Sequence, residues 1–132
     1  MEKNKKIKFR EKILSSGTKI ILGKDAKSND ALMYLYKDKN NIILHTVYPG
    51  SPFCVIEKIK PTKKEIYEAG IFVALYSQDW KDNKKDVLVS VFTGKNISKT
   101  KNLKPGTWHV KKAKTIKIKK EDIIRLHNKK ST

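Results

Sequence analysis

The chain holds one cysteine in 132 residues, so no internal disulfide can staple it, and Cys54, between Phe53 and Val55, is expected as a reduced, buried, small apolar side chain. A reduced thiol suits a cytosol-like compartment. Acidic residues are scarce as well: 13 Asp+Glu stand against 31 Lys+Arg, a formal net charge of +18. Solubility alone does not ask for such an excess, which points to a polyanionic partner, nucleic acid first. Arginine is almost missing, since only Arg10 and Arg125 break the run of lysines. Lysine is a compact point charge suited to phosphates, so binding blind to base sequence is the expectation. Long hydrophobic runs are missing too. The longest, Ala69 to Tyr76, is far short of the ~20 residues that span a bilayer, and no apolar stretch of signal length follows the charged start Met1-Glu2-Lys3. Membrane partners and secretion are therefore not expected, and the location is read as cytoplasmic. With only 6 Gly and 4 Pro, no linker or repeat divides the chain, and its length suits one domain.

What is present is a clustered apolar fraction of 38%, enough for a folded core. A strand is expected over 18–22, closed by Gly23, and Ser28-Asn29-Asp30 resembles a helix N-cap before Ala31 to Leu35. Turn chemistry at 38–41 precedes a strand over 42–46, and Pro49-Gly50-Ser51-Pro52 separates it from another over 53–57. After Pro61, Thr62 and Glu65 have the spacing of a capping box, which predicts a helix from Lys63 to about Gln78, with Trp80 near its apolar face. Val87 to Phe92 is apolar at both parities, as in an interior strand. A lysine-rich loop over 95–104 then leads to 107–110 and 115–118, which read as a β-hairpin with Ile116 and Ile118 facing inward. The fold class expected is α+β: a mixed, largely antiparallel sheet packed by one main helix and ending in that hairpin. Residues 1–8 read as a basic leader, 9–120 as the domain, and 121–132 as a tail or short helix.

Catalytic and metal signatures are wanting. His45, His109 and His127 form no ligand motif, Gly23-Lys24 lacks the rest of a phosphate-binding loop, and Asp79, Asp82 and Asp86 read as a solvated loop. No nucleophile with its base can be named, so a non-enzymatic protein without metal or cofactor is expected. Charge is unevenly spread: Val87 to Lys120 carries 10 Lys and no acid. That stretch, with Trp108 and His109 inside it, is the candidate nucleic-acid surface. The aromatics Tyr76, Trp80 and Trp108 are expected as core anchors more than base-stacking platforms.

The run Phe9-Arg10-Glu11-Lys12-Ile13-Leu14-Ser15-Ser16-Gly17, continuing through Ile20-Ile21-Leu22-Gly23-Lys24-Asp25-Ala26-Lys27-Ser28-Asn29-Asp30, closely resembles the opening of the NFACT-R RNA-binding domain. The order then continues as that family's would: a strand ending in His45, a Pro-Gly-Ser loop, a helix with Gly70 to Ser77, a valine-rich strand and Lys104-Pro105-Gly106. The resemblance covers roughly 9–120. It implies a non-catalytic module that binds structured RNA, tRNA or ribosomal RNA. Larger family members are ribosome-associated quality-control factors that bind the large subunit. This chain looks like a standalone member, a group linked to tRNA modification, so a tRNA-modifying enzyme or the large ribosomal subunit is the protein-side partner expected. Where the longer proteins have a Trp before the strand histidine and a basic-acidic pair after it, this chain has Leu44-His45-Thr46-Val47.

Carried over by position, the RNA-binding candidates are Lys24, Lys27, Asn29, Asp30, His45, Ser51, Lys95, Lys99, Lys101 and Lys104, joined by His109 from the basic stretch. The lysines would contact phosphates, and Ser51 and His45 could donate to sugar or phosphate. Asn29 and Asp30 are expected to cap the following helix, while His45 could equally be an interior histidine. Replacing Lys99, Lys101 and Lys104 by Ala is expected to weaken RNA binding without harm to the fold. The competing readings are a DNA-binding or general polyanion-binding module and an RNA-modifying or nuclease enzyme built around His45.

Overall fold

In the computed structural model, which describes residues 7–130, one antiparallel sheet organises the chain. Its strands are β1 (Arg10–Ile13), β2 (Lys19–Leu22), β3 (Ile42–Thr46), β4 (Cys54–Ile56), β5 (Val87–Thr93) and β8 (Lys114–Ile118), in the order β1-β2-β4-β3-β5-β8. The pairings are all antiparallel. Two further strands, β6 (Ile97–Ser98) and β7 (His109–Val110), pair with each other in a small separate sheet. The helices are α1 (Ala26–Tyr36), α2 (Lys63–Leu75), α3 (Gln78–Asn83) and α4 (Lys120–Lys130). The α+β class is as the sequence indicates. Most of the leader expected over 1–8, and Ser131 and Thr132 at the other end, lie outside the described residues.

The sheet is covered on both faces because its central strands are apolar at both parities. Ile20, Leu22, Leu44, Cys54, Ile56, Val87, Val89 and Ile118 bury one face beneath Ala69, Val73 and Trp80 from α2 and α3 and Ile123 from α4. The alternate residues Ile21, Ile43, Val55 and Phe92 bury the other face beneath Leu32 and Met33 of α1, Ile97 of β6 and Trp108. Cys54 is wholly buried, and burial pushes its thiol pKa far up.

The β1–β2 hairpin is clamped to α2 by polar contacts. Glu65 Oε2 accepts from Ser16 Oγ at 2.6 Å and Thr18 Oγ1 at 2.7 Å, while its Oε1 accepts from Thr62 N at 2.8 Å and Lys58 Nζ at 3.1 Å. Glu68 accepts from Ser15 N and Oγ. The expected capping box is present, with Glu65 N donating to Thr62 Oγ1. These hydrogen bonds, Ser16 foremost, hold the Glu65 carboxyl well below its ordinary pKa.

Three local expectations are corrected. The helix after Gly23 starts at Ala26, not after Ser28-Asn29-Asp30: Asp25 is the N-cap, its Oδ1 accepting from Ser28 N at 2.8 Å. The Ser28 hydroxyl answers the Asp25 amide, and bonds from Ser28 hold the Asp25 carboxyl below its usual value. The helix from Lys63 ends at Leu75 because Ser77 caps a new one, accepting from Trp80 N at 3.1 Å while donating to Ala74 O at 2.7 Å. That bend turns Trp80 into the core. The hairpin of 107–110 with 115–118 does not form. β7 pairs with β6 beside α1, whereas β8 crosses to β5, with Val87 opposite Ile118 and Val89 opposite Ile116. Trp108 beside β7 packs into the core on the α1 face, whereas β8 joins the sheet as its edge strand and turns Ile118 into the core on the α2 face. Gly70, inside α2, makes room for this: a Cβ there would stand 2.7 Å from Ile118 Cδ1.

Candidate nucleic-acid interface

The strand register gathers the candidate residues at one end of the sheet. Arg10 is opposite Leu22, Leu22 opposite Cys54 and Cys54 opposite Leu44. The start of β1, the exit of β2 at Gly23-Lys24, the exit of β3 at His45 and the entry to β4 at Phe53 therefore share an edge. Beside them lie the Pro49–Pro52 loop, the first turn of α1 and the Pro105–Trp108 segment. Together these enclose a cleft of about 600 Å³. Arg10, Lys24 and Lys81 line it with positive charge, and His45, Phe53 and Val110 are among its walls.

Each wall is held by a specific contact. Gly23 N donates to Phe53 O at 3.1 Å, and Asn29 Oδ1 accepts from Phe53 N at 3.0 Å, tying α1 to β4. A Cβ on Gly23 would overlap the Asn29 carboxamide, so only glycine fits at this position beside Asn29. Ser51 Oγ accepts from Thr46 N at 3.0 Å, and Gln78 N donates to Gly50 O at 2.7 Å, which fixes the proline-flanked loop. The Arg10 guanidinium lies 4.0 Å from the Tyr76 ring centroid.

Asp30 is the hub of the third wall. Its Oδ1 accepts from Lys99 Nζ at 3.0 Å, Gly106 N at 3.0 Å and Trp108 Nε1 at 2.8 Å. Burial works to raise its pKa, but the hydrogen bonds from Lys99, Trp108 and Gly106 prevail and the net shift is downward. Lys99 also donates to Lys104 O at 3.1 Å and Thr107 O at 3.0 Å, so all three ammonium donors are used. Its side chain is only 13% exposed. In place of the phosphate contact expected for it, Lys99 is a strut of the basic loop, and Asp30 and Asn29 are tertiary anchors in place of helix caps.

The other candidates divide. Lys24, His45, Ser51 and the Pro105–Trp108 segment meet at the cleft. Lys101 and Lys104 are exposed on the loop that Lys99 braces, and Lys27 is exposed in the first turn of α1. Lys95 stands apart. It follows β5 in the 3-10 turn Gly94–Asn96, where Gly94 O accepts from Asp38 N beyond the far end of α1. His109 is exposed on β7 between the cleft residues Trp108 and Val110 but is not itself a lining residue. His45 is partly buried and also lines the cleft, its ring 4.4 Å from that of Phe53 and its Nδ1 2.8 Å from Thr46 O. Burial lowers its pKa against the effect of its backbone hydrogen bonds, so the ring is neutral near pH 7. Trp80 and Trp108 are buried anchors as expected, Trp108 with Tyr34 edge-on to it at 4.9 Å. Two cleft cations were missed as site residues. Arg10 had a signal, as one of two arginines beside Phe9, whereas Lys81 had none, because only the break at Ser77 aims α3 at this edge. Asp79, Asp82 and Asp86 accept from Asn83, Tyr48 and the Lys120 amide.

A model of the NFACT protein RNA binding domain matches residues 7–112. The chain belongs to that family. The match runs from the approach to β1 through β7, so β8 and α4, which supply Ile118 and Ile123 to the core of this NFACT-R domain, follow the matched segment. The domain is 34% identical over 79 residues to the archaeal Rqc2 homolog aRqcH of Methanocaldococcus jannaschii, an alignment spanning 56% of this chain and 11% of that protein. Its fold resembles the C-terminal part of the fibronectin/fibrinogen-binding protein from Streptococcus suis, with a TM-score of 0.80 at 24% identity, over 93% of this chain and 50% of that one. Among the described residues, no helix is long and apolar enough to cross a membrane, and no group of three or more His, Cys, Asp or Glu is placed to hold a metal ion.

Proposed function

We propose that this NFACT-R domain binds structured RNA, a tRNA or a ribosomal RNA surface, as a non-catalytic module serving ribosome quality control or tRNA modification. The observation that carries the reading is convergence: the loops bearing Lys24, Ser51 and Lys104-Pro105-Gly106, far apart in sequence, meet at one cleft rimmed by Arg10, Lys24 and Lys81. Lys27 and Lys104, exposed and adjacent in sequence to the lining residues Ala26 and Pro105, extend the positive surface beyond the rim, and Lys101 is exposed on the same loop as Lys104. Phosphates drawn there would release counterions, giving affinity that falls with salt. Likeness to an Rqc2 homolog supports the quality-control context, and the lysine-dominated charge supports reading of backbone shape over base sequence.

Equilibrium binding to folded tRNA, a ribosomal RNA fragment and duplex DNA, each at two salt concentrations, tests the reading. Preference for one RNA that persists at the higher salt is expected. Equal affinities for all three, erased together by salt, would replace this reading by a general polyanion-binding module.

A further inference from the structure

A double helix cannot enter a cleft of about 600 Å³; its phosphates can only sit along the rim. The volume is instead that of a site for one small ligand. Its lining mixes polar and apolar groups in near-equal measure, as a ligand with a charged end and a flat ring would ask. Val110 and the partly buried His45 ring, backed by the buried Phe53, offer apolar and aromatic surface, and Arg10, Lys24 and Lys81 lie among the same lining residues. One acid, Asp25, also lines it, but its carboxylate is engaged in capping α1.

The cleft is also built in advance. Ser51 and the Gln78 amide fix one loop, Asp30 fixes the Gly106 amide and the Trp108 indole, and the Nδ1 contact with Thr46 O sets the His45 ring. A site whose walls are already ordered binds without a further ordering cost.

We propose that the cleft receives a single unpaired nucleotide of the bound RNA, its phosphate met by Arg10, Lys24 and Lys81 and its base set against His45 and Val110. This rests on the RNA-binding reading above and narrows it to RNAs with a base free to leave the helix, from a bulge, loop or single-stranded end. Bases so splayed are the ones proteins can read on their faces and edges.

The test compares two RNA duplexes of one sequence at one salt concentration, the first with a one-nucleotide bulge carrying a fluorescent purine analogue, the second fully paired. The bulged RNA is expected to bind tighter by on the order of tenfold, with a change in the analogue's emission. Thr107→Trp, which fills the cleft from the Pro105–Trp108 side, is expected to bring the bulged RNA to the affinity of the paired one. The double variant Lys24→Gln/Lys81→Gln, at two exposed positions, is expected to lose most of the preference with the fold unchanged. Equal binding of both RNAs by the unaltered protein overturns the nucleotide pocket and leaves the RNA-binding reading standing. A preference that survives in both variants overturns it too. Binding of neither RNA overturns the nucleotide pocket, and the comparison of tRNA, ribosomal RNA and duplex DNA above then decides the RNA-binding reading by itself.

Discussion

Asp30 and Lys99 show how a side chain can be recognised from sequence and still be given the wrong job. Both stand where the family signature and the basic loop direct attention, yet their charges are turned inward on each other, with side-chain exposures of 21% and 13%. Removing one member of such a pair strands the other's charge, so Asp30→Ala is expected to cost about 3 kcal/mol in urea unfolding. In a double-mutant cycle with Lys99→Ala, the two losses should fall short of additive by more than about 1 kcal/mol. Replacing Lys99 with Lys101 and Lys104 would therefore damage the loop itself, and Lys101 with Lys104 is the pair that tests phosphate contact. Glu65 carries a pH dependence of stated sign. Its folded pKa lies below the ordinary value, so its contribution is full above the ordinary glutamate range and drains away as pH falls below it. Urea midpoints of the wild type and Glu65→Gln should accordingly differ at pH 7 and converge as the solution is acidified; a constant gap would show that the charge is not what binds the hairpin to α2.

At the scale of elements, local chemistry told which segments would be strands and helices but not whom they would meet. The capping box at Thr62 and Glu65, the two-faced apolar run of β5 and the inward Ile116 and Ile118 were legible because each is a short-range pattern. The separation of β7 from β8 was not legible, since a turn signal names a reversal without naming the partner strand. No strand was expected over Arg10 to Ile13, a segment with one exposed face, and its pairing with β2 is accompanied by the clamps from Ser15 and Ser16 to α2. Those serines, the most recognisable part of the signature, are spent on the fold. α4 was foreseen only as a tail or short helix, whereas Ile123 is wholly buried against the sheet. Ile123→Ala is expected to destabilise the domain by about 3 kcal/mol, read from the urea midpoint, although the residue lies beyond the segment the family model matches.

For the whole molecule, charge and cleft act at different ranges. The net charge of +18 speeds encounter with any polyanion, while under the proposed reading the cleft edge is where phosphates settle. Replacing Lys24, Lys81 and Lys104 by Ala together should reduce the slope of log affinity against log salt by roughly 2 to 3, about one per lost phosphate contact. Lys95→Ala, at the far end of α1, should leave tRNA affinity within about twofold, as suits a site confined to one edge. The single cysteine has a consequence of its own. Cys54 lies in β4, between β2 and β3, sealed from solvent in the larger core. An alkylating reagent can therefore reach it only when the central sheet comes apart, so its rate of modification is a built-in clock for global opening. RNA that holds the cleft edge together should slow that clock, and any cysteine placed on the surface could be labelled against a silent background.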